Sequence, residues 1–210
     1  MNSASSSGPA RITVWLAKLH GDTQEHLLLW ATACLLYHLA KAAGLPLREA
    51  EDEADKALAA ACLFLASKNE MNRDHCYSST ALVRDALEVA PGQETAWIVR
   101  ICEAEADLVT RVFFPLCATL EQRLPYAALS AYAAHATEHE MTAAVGLLND
   151  LMRLPQCLDY EPRVMAGAAL YLARHVVLGQ RPLPVPDSSW RSLLHVFQEH
   201  ILPKQVPRFI

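Results

Sequence analysis

Lys68 and Glu105 are charged side chains that another molecule could meet, and each also has a plain structural reading. Lys68 follows an apolar run, Leu58–Ala66 (LAAACLFLA), after one intervening serine, and so falls in the last turn of the helix that the run forms. A cation in a last helical turn also gains about 0.3–1 kcal/mol from the helix dipole, which is its plain structural role. Glu105 has Ile101 and Val109 four residues to either side, so no basic neighbour satisfies it along its own helix. Its neighbours differ: Glu103 has Arg100, and Asp107 has Arg111, pairs worth a few tenths of a kcal/mol each. The plain alternative for Glu105 is a solvated face. His135 and His139 flank Glu138 at a spacing that two metal ligands on one helix would use. The pattern is not HExxH and no further ligand accompanies it, so a solvated or capping role is expected. There is no GxSxG, no P-loop and no glycine-rich phosphate cradle, and seven glycines leave little for one. The expectation is a protein that is not an enzyme, with no catalytic residue, cofactor or metal.

The elements that position these groups are helices. The run Leu58–Ala66 returns 107 residues later as Met165–Ala173 (MAGAALYLA), with Ala59, Ala61, Leu63, Leu65 and Ala66 matched by identical residues. Phe64 is answered by Tyr171, and each run is followed by a cation, Lys68 and Arg174. Repetition at about half the chain length implies two copies of one domain. A helix apolar on every side must be wrapped by others, and each run is too short to span a bilayer, which takes about 20 apolar residues. Around the first copy the spacing predicts helices over 11–20, from Thr23 to Gly44, over 80–89 and over 93–114, the last with Trp97, Ile101, Ala104, Leu108 and Val112 on its buried stripe. Around the second it predicts helices over 125–136, over 141–154, and from Ser188 or Ser189 to Ile201. Pro115 and Pro155 read as breaks, and Pro162 suits a first helical turn. No segment alternates like a strand. The fold class is therefore all-α: a tail over 1–10, a first domain over 11–120 and a second over 121–210.

Ala60–Glu70, AACLFLASKNE, resembles the "AACLFLASK-x-E" segment at the third helix of the cyclin box. Ala31–His38 (ATACLLYH) is similar to the second helix of that family, and Glu105–Leu116 to its fifth. In the second half, Leu148–Asp150, Tyr160–Val164 and Ala168–Ala173 resemble transcriptional cyclins of the K, T, L and Q type. The likeness runs over residues 11–201. It implies two stacked five-helix cyclin boxes that bind and activate a cyclin-dependent protein kinase in the nucleus, in transcription or the cell cycle. Carried over residue by residue, it makes Lys68 and Glu105 kinase-binding, with Glu70 matching the first acid of the family's "K-V-E-E" segment. Met71 stands in place of the second acid, and Leu39 where an arginine follows Tyr37-His38 in the family. The "MRAIL" docking segment is absent, and against the family pattern the second box is truncated at its last helix.

Charge narrows the alternatives. A net charge of −5 and a pI near 6.0 provide no basic face for nucleic acid. That disfavours a TFIIB-like adaptor, the other tandem cyclin-box design; a helical scaffold with a divergent kinase-binding surface is the third reading. The six cysteines form no CxxC pair, and Cys34, Cys62 and Cys102 fall within apolar helical patterns, as small hydrophobes do in a reducing, intracellular setting. A direct nucleic-acid or membrane partner is not expected. His38 and Trp190 read as core residues.

Overall fold

The computed structural model describes residues 8–20, 26–45, 52–70, 78–116, 119–177 and 194–201. Among them every regular element is helical, and no helix is long and apolar enough to cross a membrane. The chain divides into two compact units, Met1–Ala118 and Thr119–Ile210.

In the first unit, α1 (Gly8–His20), α2 (Leu27–Ala42) and α3 (Asp52–Glu70) come first. A single α-turn, Ser79–Ala81, then runs into a π-helical turn, Leu82–Ala86; together these are α4. α5 (Glu94–Leu108) continues through a π turn, Val109–Phe113, to a last α-turn, Phe114–Leu116. Pro115 thus sits inside the final turn and does not precede the break. α3 is the hub. From Ala57 to Ser67 every residue is buried, and α1, α2 and α5 all pack on it. Ala59, Ala60, Ala61 and Ala66 are wholly inaccessible, which lets the surrounding backbones close in, while Leu58, Leu63 and Phe64 fill the gaps. α5 buries Trp97, Ile101, Leu108 and Val112, the predicted stripe, with Ala104 half-buried.

Two glycines are required, Gly44 by its backbone angle and Gly8 by a close approach. Gly44 takes φ +78° just past α2, where its N–H reaches the Lys41 carbonyl (3.0 Å) and the Leu45 N–H reaches that of Ala40 (2.9 Å). That is a Schellman closure, and the buried Leu45 supplies its apolar contact. At the start of α1, Gly8 lies flat against Tyr37, so close that a Cβ would stand 2.2 Å from the ring. α1 takes in Gly8, Pro9 and Ala10, which the sequence had assigned to the tail. Pro9 in a first turn forfeits no helical hydrogen bond, so the helix can begin there. Residues 1–7 lie outside the described residues.

A polar network ties the first three helices together. The nearly buried Arg11 pairs with Asp52 and, at 3.4 Å, with Asp55. Asp55 also accepts from the Tyr37 hydroxyl (2.8 Å) and from Lys41 (3.1 Å). Burial first, and donation to Asp55 second, hold the Tyr37 phenol well above its usual pKa. The aspartates at the start of α3 thus bind side chains from α1 and α2.

In the second unit, α6 (Pro125–Ser130) is followed by a 3₁₀ turn (Ala133–His135), then α7 (Glu138–Met152), a 3₁₀ turn (Pro155–Asp159) and α8 (Pro162–Leu172), which runs into a π turn (Ala173–Val177). A further π turn, Phe197–Ile201, packs on α7. The helix predicted over 125–136 is shorter because the chain turns at Ala131 and Tyr132. α8 is the counterpart of α3: Met165–Leu170 are all buried, and α6 and α7 pack on it. Gly179, the proline-rich stretch over 181–187, Ser188, Ser189 and Trp190 lie outside the described residues.

Candidate functional site: the Lys68–Glu105 pair

Lys68 and Glu105 belong to different helices and meet. α3 carries Lys68 in its last turn, and α5 packs along α3 so that Glu105 arrives beside it. Lys68 Nζ stands 2.5 Å from Glu105 Oε1. The same nitrogen lies 3.9 Å from the centroid of the Phe64 ring, one turn back on α3. The lysine side chain remains 43% exposed and the glutamate 16%, so the pair is anchored from below and open on one side. Directly beneath, the buried Ser67 donates its hydroxyl to the Phe64 carbonyl (2.7 Å), a bond that ties this turn to itself.

Glu70 is the last residue of α3, and its side chain lies outside the described residues, as does Met71. Leu39 is half-buried on α2. The pairing imagined within α5 is replaced by one between helices: Arg100 reaches Glu53 of α3 (2.6 Å). Arg100 and Lys56 both approach the nearly buried Trp97, at 5.4 and 5.1 Å from a ring centroid.

Sequence reasoning missed the outer side of α5. Val99 is 51% exposed and Phe114 70%, and Cys102 and Ala106 are exposed as well. Val99, Cys102 and Ala106 recur at three and four, which at 3.6 residues per turn makes a second apolar line, opposite Trp97, Ile101 and Leu108. Cys102 was grouped with the buried thiols because its neighbours are apolar, yet it falls on this outer line. Cys34, Cys62 and Cys157 are buried, and burial pushes the Cys157 thiol up to about 12. His38 is buried on α2, edge-on to Tyr37.

The second copy ends differently. In strict register the 107-residue offset sets His175 opposite Lys68, and Arg174 opposite the buried Ser67. The aromatic–cation spacing recurs, since the His175 ring meets the Tyr171 ring edge-on at 4.5 Å. Arg174 therefore has no counterpart in the first copy and is not a simple helix cap. Within the π turn it forms a two-pronged pair with Glu140 of α7 (2.8 and 3.1 Å) and donates to the His135 carbonyl (2.9 Å). Glu140 is also half of a capping box. It accepts the Thr137 N–H (2.7 Å), while the Thr137 hydroxyl accepts the Glu140 N–H (3.3 Å). Arg174, then the Thr137 N–H, draw the Glu140 carboxyl down to about 2. This arrangement fixes α7 against the π turn that follows α8. His135 and His139 lie on separate elements, a 3₁₀ turn and the first turn of α7, so the helical ligand spacing is not realised.

No protein-family model and no curated protein matches the chain.

Proposed function

We propose that this chain is a cyclin-like regulatory subunit, its two units tandem cyclin boxes, that binds and activates a cyclin-dependent protein kinase of the transcription-associated class. The observation that carries the reading is the meeting of Lys68 and Glu105. The cyclin-like motifs single out these two residues from separate segments, and they stand 2.5 Å apart, partly open to solvent. The exposed line of Val99, Cys102 and Ala106 on the same helix supplies apolar area for a partner helix. Such a subunit carries no catalytic residue. It binds the active arrangement of the kinase better than the inactive one, so that the kinase's Lys–Glu pair forms and its magnesium-binding loop is in place. A constitutive complex of this kind buries roughly 2,000 Å² or more. A nuclear location belongs to the same proposal.

The test is recovery of the tagged chain from extract of its own cells. A protein kinase at near-equal stoichiometry is the expected result. Recovery without any kinase, under conditions that preserve other complexes, rejects the proposal.

A further inference from the structure

We infer that Phe64 is a positioning residue: its ring holds the Lys68 ammonium so that one N–H points outward to the partner. This rests on the reading that Lys68 meets a kinase. An ammonium has three N–H donors. Glu105 takes one at 2.5 Å, and the negative face of the Phe64 ring, 3.9 Å away, draws a second. The third is left on the open side, for an acceptor oxygen of the partner. A lysine has four rotatable bonds and loses much freedom when it is fixed. Held between a ring and a carboxylate, Lys68 has lost that freedom before the partner arrives, which lowers what binding must supply. Phe64 is itself 8% exposed, so its ring is a fixed platform. The second copy keeps the spacing but offers Tyr171 and His175, two rings that meet edge-on, in place of a ring and a lysine ammonium. The ring-held lysine thus belongs to the first copy. Arginine would not replace it, because its planar head stacks flat on a ring and presents a fork.

The experiment compares full-length wild type with Phe64→Leu, Phe64→Tyr, Lys68→Met and Phe64→Leu/Lys68→Met. Nuclear magnetic resonance of the free chain reads the Lys68 ε-protons, which the ring current moves upfield in wild type and Phe64→Tyr. Phe64→Leu should return them to the ordinary lysine position. Affinity is then measured for the kinase that co-purifies with wild type. Phe64→Leu should weaken it roughly two- to fivefold, the range a partly exposed cation–π contact supports. Phe64→Tyr should restore it, and Phe64→Leu should have no effect when Lys68 is already Met. An unshifted Lys68 in wild type overturns the inference. So does an equal loss in the Lys68→Met background, which marks a general packing defect. If no kinase co-purifies, the proposed function falls, while the ring-current shifts still decide whether Phe64 holds Lys68.

Discussion

Reversing the charges of the Lys68–Glu105 pair separates its contribution to the fold from its contribution to binding. The lysine side chain is 43% exposed and the glutamate 16%, so solvent screens the attraction despite the 2.5 Å contact. Pairs this open are worth about 0–1 kcal/mol. For a chain of this length that corresponds to at most about 2–4 °C in Tm. Across an interface the same groups are closed off from water, and removing one partner of such a contact costs about 2–5 kcal/mol, roughly thirtyfold or more in affinity. Lys68→Glu alone sets two carboxylates together and should lower both stability and binding. The exchange Lys68→Glu with Glu105→Lys restores an internal pair with the opposite polarity facing out. Thermal melts followed by circular dichroism should place the exchange variant within a few degrees of wild type. Kinase association, measured by calorimetry or surface binding, should fall at least thirtyfold. If the exchange variant binds as wild type does, the pair does not meet the partner. If it unfolds instead, the pair is a structural element and the reasoning fails at its first step.

Two further predictions concern the frame. The Glu140 carboxyl lies at about 2 in the folded chain against an ordinary value of 4.5. A depressed pKa contributes stability that is fully present above about 4.5 and is lost as pH falls toward 2, so the stability gap between wild type and Glu140→Gln should be constant from pH 7 to 5 and narrow below. Urea denaturation at a series of pH values measures it, and a gap that widens on acidification contradicts the assigned pairing. Gly8→Ala drives a methyl to 2.2 Å from the Tyr37 ring and should destabilise the first unit by about 1–3 kcal/mol, because the ring is held by Asp55 and cannot swing away freely. Unchanged denaturant midpoints would show that α1 does not rest there.

The hub helices were legible in the sequence because their signal is local. Leu58–Ala66 is apolar all round, and only a wrapped helix satisfies that. Lys68 and Glu105 were legible as separate candidates through the resemblance to cyclins, but not as a pair, since contact between residues 37 apart depends on how α5 lies along α3. The bond from Arg11 to Asp52 and Asp55 was lost for the same reason, at a separation of 41 and 44 residues. Thr137 and Glu140, by contrast, carry a readable capping-box spacing that was passed over, and the helix was started three residues late. The likening of Arg174 to Lys68 failed on register, a matter of one residue. The chain after Ala173 winds as a π turn, which no apolar periodicity announces, and that turn holds the Arg174 that meets Glu140.

In the proposed function, this chain switches on a kinase through the end of α3 and the middle of the helix that begins as α5. The most direct measurement is the phosphoryl-transfer rate of the co-purifying kinase, stripped of this chain and then titrated with it. Activity should rise with added wild-type chain to a plateau near one equivalent, and the exchange variant at Lys68 and Glu105 should leave it at the basal level. A rate unchanged by the wild-type chain, or raised equally by the exchange variant, would contradict the account.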